Sequence, residues 1–139
     1  MKNKYTTSLL IAIAIMAATG QVLKAQSKKD HWRYHHVVKG LKMSKQLESK
    51  FSPAFYAYLK EWHAARDIYN DLKDKYRVQI DKRQLTPAQA QELLDSHWKS
   101  EEEEIKVKRK YTQVFSQIVK KPYVYYIFQL ANDKVPKNL

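Results

Sequence analysis

Glycine is almost absent from this chain, which has only Gly20 and Gly40 in its 139 residues. Sheets and tight hairpins usually need glycine in turns where the backbone takes positive φ angles. Long stretches instead repeat apolar residues every three or four positions, which is the period of an amphipathic helix. We therefore predict an all-α protein of about four helices, with a long antiparallel helical hairpin and short terminal helices.

The first 25 residues have the pattern of a cleaved signal peptide. Two lysines precede an apolar run over 9–18, and about ten apolar residues are too few to span a bilayer of roughly 30 Å. Cleavage after Ala25 is expected, and an uncleaved N-terminal anchor is the alternative. We predict an exported protein with one helical domain over 26–139, in which 132–139 form a frayed tail.

Residues 26–139 carry 23 Lys and Arg against 14 Asp and Glu, a net charge of +9. The two ends are basic, with +5 over 26–50 and +7 over 106–139, around a segment of −3. No cysteine is present, so packing without disulfides must stabilise the fold. The charge would suit nucleic acid, but export and the lack of a recognised module argue against that partner. Association of the basic ends with a membrane surface stays open.

Two similar helix start signals divide the chain. Ser52-Pro53 and Thr86-Pro87 each place a hydroxyl residue at the N-cap and a proline at the first helical position. Gln89, three residues after Thr86, can close a capping box with it. We also expect an opening helix over 30–49 and a closing helix over 123–133, which is apolar almost all round.

Each long helix carries a predicted core stripe at helical spacing. The four glutamates at 101–104 and the lysines after them are expected to form a solvated face with i,i+4 pairs. The stripe of the first long helix is Phe55, Leu59, Trp62, Ala65, Tyr69, Leu72, Tyr76 and Ile80. The stripe of the second is Leu94, Trp98, Ile105, Tyr111, Phe115 and Ile118.

Leu85, Thr86 and Gln89 form the pattern LTxxQ, which resembles the signature of the periplasmic Spy/CpxP family. The layout is also similar, with a signal peptide, long charged helices and no cysteine. The likeness runs from Thr86 to Leu130 and covers roughly half of the mature chain by pattern. The resemblance implies an all-helical, often cradle-shaped dimer of the Gram-negative envelope. Members act as ATP-independent chaperones or as envelope stress and metal sensors.

A basic and aromatic stretch near the C-terminus is the candidate client-binding surface. A chaperone without ATP must bind weakly, so basic charge would attract acidic unfolded chains and exposed rings would supply apolar contact. For each ring, burial in the core is the alternative. We predict a chaperone-like or envelope-stress adaptor protein that binds unfolded or envelope proteins. The candidate residues are Lys106, Lys108, Arg109, Lys110, Lys120, Lys121, Tyr123, Tyr125, Tyr126 and Phe128.

A periplasmic sensor or regulator that binds a metal ion or a membrane signalling partner is the alternative function. His31 and His35 are spaced i,i+4 with His36 beside them, so one helix face could present imidazoles to zinc or copper. Ordinary surface histidines are the competing interpretation. The sequence has no phosphate-binding glycine loop and no nucleophile motif, so we expect no enzyme and no cofactor. A homodimer stays open.

Overall fold

The computed structural model describes residues 27–139, and the predicted signal peptide lies outside this range. The described residues form five helices and no strand, which confirms the all-α prediction. None of these helices combines the length and apolar content that crossing a lipid bilayer requires. The helices are α1 over 27–40, α2 over Lys45–Lys75, α3 over Arg77–Asp81, α4 over Pro87–Ser116 and α5 over Lys121–Ala131.

α2 and α4 run antiparallel along most of their length, and we call this pair the hairpin. The side-chain hydrogen bonds between them show this direction. As the residue number of the α2 partner rises, the residue number of the α4 partner falls. Two of these bonds use serine hydroxyls that donate to backbone carbonyls, which lets the helices approach closely. The bonds run from Tyr111 to Glu61 at 2.8 Å, from Ser100 to Ala65 at 2.9 Å, from Ser96 to Ile68 at 2.9 Å and from Tyr76 to Glu92 at 2.7 Å.

Aromatic rings form the core at one end of the hairpin. Phe55 and Tyr58 of α2 meet Phe115 of α4, with ring centroids 6.4 Å and 5.9 Å apart. α1 adds Tyr34, which lies over Phe51 at 6.3 Å. α5 completes this core by burying the side chains of Val124, Ile127 and Ala131.

The other end of the hairpin has little core of its own. From Asn70 through the turn to Ser96, Leu93 is the one buried residue. The predicted stripe of α4 is therefore wrong in its first half. Leu94, Trp98 and Ile105 are 48%, 54% and 50% exposed. The rotation of α4 is set by Tyr111 and Phe115, and Leu93 and Ser100 consequently face α2 instead.

The start of α2 differs from the sequence prediction. The helix begins at Lys45, where the Ser44 hydroxyl accepts from the Leu47 amide at 3.2 Å, and Pro53 lies inside the helix. The predicted helix over 30–49 is consequently split at 41–44. A continuous helix keeps Phe51 on the core face, where it is fully buried. Its burial and ring contacts offset a proline penalty of about 3 kcal/mol.

Two smaller differences concern the ends of helices. α2 stops at Lys75 and α3 continues to Asp81, which raises the number of helices to five. The closing helix occupies Lys121–Ala131 instead of 123–133. Its Pro122 lies in the first turn, where a missing N–H costs no intrahelical bond.

The capping box at the start of α4 is confirmed. Thr86 Oγ1 accepts from the Gln89 amide at 3.2 Å, and the Thr86 amide donates to Gln89 Oε1 at 3.0 Å.

Thr86→Ala should therefore lower the free energy of unfolding by about 1 kcal/mol in urea denaturation. Thr112→Ala is the control, because Thr112 bonds the Lys108 carbonyl inside α4 and contributes no cap. Equal losses in both variants would contradict the capping role.

Tyr111 makes the fold sensitive to alkali. Burial, aided by the hydrogen bond to Glu61, raises the pKa of Tyr111 to about 12. An unfolded tyrosine ionises near pH 10, so the unfolded chain loses this proton while the folded chain keeps it. The free energy of unfolding should fall as the pH rises from about 10 to about 12. Tyr111→Phe should make that fall shallower in urea titrations across this range, and an unchanged slope would refute the assignment.

Candidate binding surface

α5 presents three tyrosines to solvent because its core face is already defined. Val124, Ile127 and Ala131 follow one another at spacings of three and four residues and point into the core. The three tyrosines lie on the other side of the helix and therefore point outward. Tyr123, Tyr125 and Tyr126 are 46%, 62% and 49% exposed.

Two adjoining cavities lie between α5 and the turn that joins α1 to α2. The larger has a volume of about 810 Å³ and includes Tyr123, Tyr126 and Leu130. The smaller has a volume of about 320 Å³. The two cavities share Leu41, Lys42 and Tyr123 in their linings. They therefore form one continuous depression, which we call the tyrosine groove. Its main lining residues are Leu41, Lys42, Met43, Leu47, Ile118, Lys120, Tyr123 and Tyr126.

Gly40 lets α1 approach α5 closely beside the groove. A Cβ atom at this position would lie 2.8 Å from a terminal methyl of Leu130. The Leu130 side chain occupies this space and contributes to the floor of the groove. The second glycine of the chain thus serves a close helix contact at the end of α1.

Lys42 is held in the groove by a strained turn. Its φ angle is 50°, in the left-handed region where glycine is usual. The Met43 amide donates to the Val38 carbonyl at 3.1 Å and the Lys42 amide to the Lys39 carbonyl at 3.2 Å, which is the Schellman pattern. A lysine in this position costs about 1 kcal/mol or more, and the turn directs a cation to the rim of the groove.

The charge around the tyrosine groove is positive. Lys42 and Lys120 line it, and Lys121 is exposed at the start of α5. Asp133 is the acidic residue of the larger cavity, and its carboxylate is bound to His36 Nε2 at 2.6 Å. The groove therefore favours ligands that combine apolar and acidic groups.

Three basic residues of α4 have acidic partners within the hairpin. Lys106 donates to Glu103 at 2.6 Å, and this hydrogen bond raises the pKa of Lys106. Lys110 donates to Glu61 at 2.7 Å, and the Lys110 and Tyr111 hydrogen bonds lower the pKa of that carboxyl. These pairs reduce the charge that α4 can offer to a client. In addition, Lys108 lies 4.0 Å from Glu104, and Arg109 is exposed.

The predicted client-binding residues thus divide into four groups, the last of which is Phe128 alone. Lys120, Tyr123 and Tyr126 meet in the groove, whereas Lys121 and Tyr125 are exposed without lining it. The basic residues of α4 line neither cavity.

Phe128 belongs with the core. Its ring lies 5.5 Å from Tyr58 and 5.7 Å from Phe115. It is partly buried there, so for this ring the alternative of burial in the core is the correct one.

Sequence reasoning missed the other wall of the groove. This wall lies at two turns through which the predicted helices continued, and it consists of Leu41, Lys42, Met43 and Ile118. The four-residue interval between Gly40 and Lys45 holds two apolar residues around a lysine. This pattern indicates a groove wall only once the break between α1 and α2 is known.

The candidate metal ligands do not converge on one point. His31 Nε2 and His35 Nε2 lie 3.0 Å apart on α1, whereas His36 turns away to Asp133. Within residues 27–139, no three His, Cys, Asp or Glu side chains are grouped as a metal site would need. His31 and His35 are accordingly a pair of exposed imidazoles, with His31 also bonded to the Tyr56 hydroxyl at 3.3 Å.

The fold and the groove define a small all-helical protein with an open groove lined by aromatic side chains. Comparison with known proteins finds no match among protein-family models, curated proteins or solved structures. Function therefore has to be inferred from the groove and from the sequence pattern.

Replacing Lys42 by glycine tests whether the left-handed turn is strained. Arg83 provides the matched control, because its φ angle is 54° and the Gln84 amide donates to the Gln79 carbonyl at 2.8 Å. Both Lys42→Gly and Arg83→Gly should raise the free energy of unfolding by about 1 kcal/mol, measured by urea denaturation. A loss of stability in either variant would show that the lysine or arginine side chain contributes more than its backbone strain costs.

Proposed function

We propose that this protein is an exported, ATP-independent chaperone-like or envelope-stress adaptor protein that binds unfolded or partner polypeptides. The observation that carries the proposal is the tyrosine groove, in which exposed Tyr123 and Tyr126 lie beside Lys42 and Lys120. Exposed rings that adjoin one another around a depression are typical of a binding surface.

The shape of the groove suits weak and reversible binding. It is open to solvent and is formed by apolar side chains of the α1–α2 turn, the end of α4 and α5. An aliphatic or aromatic side chain of a client can leave water there without a deep pocket that would select one sequence. The lysines at the rim would raise the rate of encounter with acidic chains, and salt would weaken that attraction.

The sequence supports an envelope role for this binding. Its first 25 residues have the signal-peptide pattern, and Leu85, Thr86 and Gln89 resemble the Spy/CpxP signature. Thr86 and Gln89 close a helix cap, so the motif itself serves the start of α4. We therefore infer that the periplasm is the working compartment and that the client surface lies in the groove instead of at the motif.

An aggregation assay tests the groove directly. The purified mature protein should suppress light scattering by an aggregating, chemically denatured client at low salt, and suppression should weaken as salt is added. Tyr123→Ala should lose much of this activity, because Tyr123 lines both cavities. Tyr125→Ala should retain it, because Tyr125 is more exposed but lines neither cavity.

The outcomes separate the groove from general surface stickiness. No suppression by the wild-type protein at stoichiometric excess would refute the chaperone proposal. Equal losses in Tyr123→Ala and Tyr125→Ala would refute the groove as the client site. Circular dichroism of each variant checks that both remain folded, and both exposed positions should tolerate alanine.

A further inference from the structure

A second cavity adjoins the tyrosine groove at Asn132 and Asp133 and lies where α1 and α2 meet the residues after α5. Its volume is about 720 Å³. Three of its cationic side chains come from the helices and two from the C-terminal residues. These are Lys29 and Arg33 of α1, Arg66 of α2, and Lys134 and Lys137 after α5.

Trp62 holds the two arginines in fixed places. The guanidinium carbons of Arg33 and Arg66 lie 5.3 Å and 4.8 Å from the centroid of the indole ring. The indole is itself fixed, because its Nε1 donates to Glu104 Oε2 at 2.8 Å. Arg33 is anchored a second time by its Nε, which donates to the Ala131 carbonyl at 3.1 Å. Planar guanidinium groups held in this way are ready to bind an anion with little loss of side-chain entropy.

The positive charge of this cavity is not neutralised by its own acids. Its lining has five cationic side chains against two acidic side chains, those of Glu104 and Asp133. Asp133 is bound to His36 at 2.6 Å, and Glu104 reaches Arg66 only at 3.9 Å. Within residues 27–139, none of the three lining lysines forms an ion pair. Burial and the nearby charge of Arg66 lower the pKa of Arg33, although Asp30 opposes that shift.

We propose that this cavity binds a compact phosphate-type oxyanion. Guanidinium groups match the spacing of phosphate oxygens and can donate two parallel hydrogen bonds, while lysines add charge from other directions. Cations from α1, α2 and the residues after α5 surround the space, which suits a multiply charged anion better than a single carboxylate. The smaller adjoining cavity of about 350 Å³ shares Lys29, Arg33 and Arg66, so a larger phosphate-bearing group has room to extend.

Calorimetric titration with pyrophosphate tests the site on the mature protein. Binding should be saturable, and Arg66→Gln should weaken it about tenfold, the effect of losing one charge-assisted contact. Lys60→Gln is the matched control, since Lys60 is an exposed cation of α2 that lines neither cavity. Arg66 is suitable because its side chain is 43% exposed and its one carboxylate contact is long.

A second pair of variants removes the lysines after α5. Lys134→Gln/Lys137→Gln should weaken pyrophosphate binding, whereas Lys50→Gln/Lys60→Gln, with the same change in net charge, should not. Equal weakening in both double variants would show that only the overall charge attracts the anion and would overturn the proposal. Absence of saturable binding to the wild-type protein at millimolar pyrophosphate would also overturn it.

Vesicles distinguish a free phosphate from a lipid headgroup. Vesicles of phosphatidylcholine containing phosphatidic acid should compete with pyrophosphate if the ligand is a headgroup. If such vesicles do not compete while pyrophosphate binding depends on Arg66, the site takes a soluble phosphate. Pure phosphatidylcholine vesicles are the control. Tyr123→Ala should keep pyrophosphate binding, so failure of the anion site and failure of the client groove are separately observable.

Discussion

Ring packing between α2 and α4 holds this fold together, because a chain without disulfides has few other means of fixing two long helices. Phe51, Phe55 and Tyr58 all contact Phe115, and each such pair contributes about 0.5–1.5 kcal/mol beyond the area it buries. Phe51 also keeps α2 helical through Pro53. The same cluster receives Phe128 of α5. The position of α5, and with it the outward direction of its tyrosines, depends on this contact.

The two candidate sites use basic charge in different ways. In the tyrosine groove, Lys42 and Lys120 border apolar side chains, so charge would attract a ligand that the groove then holds by desolvation. In the cavity at Trp62, partly buried Arg33 and half-exposed Arg66 lie on the same indole ring, so charge itself would be the binding force. A strongly basic composition therefore does not describe one function. Its effect depends on whether each cation is beside an apolar surface, beside another cation, or neutralised as Lys110 is by Glu61.

Local signals in the sequence predicted local structure well. Scarce glycine and helical periodicity gave the all-α class, and the Thr86–Gln89 capping box occurs as expected. The failures came from competition between elements. Ser52-Pro53 is a good helix start signal, but burial of Phe51 prevails over it. The apolar pattern of Leu94, Trp98 and Ile105 does not reveal that these residues face outward on α4. Of the residues that line the tyrosine groove, Tyr123 and Tyr126 were among the sequence candidates, whereas Lys42 required knowledge of where α1 ends.

The uneven burial along the hairpin has a consequence for its motions. The end near Phe115 is packed against α1 and α5, whereas the end near the Arg83 turn has Leu93 as its one buried residue between Asn70 and Ser96. Helical hydrogen bonds there are protected mainly by a single neighbouring helix. Amide hydrogen exchange should therefore proceed from the Arg83 turn towards Trp62, with the last amides to exchange lying around Tyr58 and Phe115. The hairpin would therefore open first at the Arg83 turn, while the end near Phe115, which carries both candidate sites, stays closed.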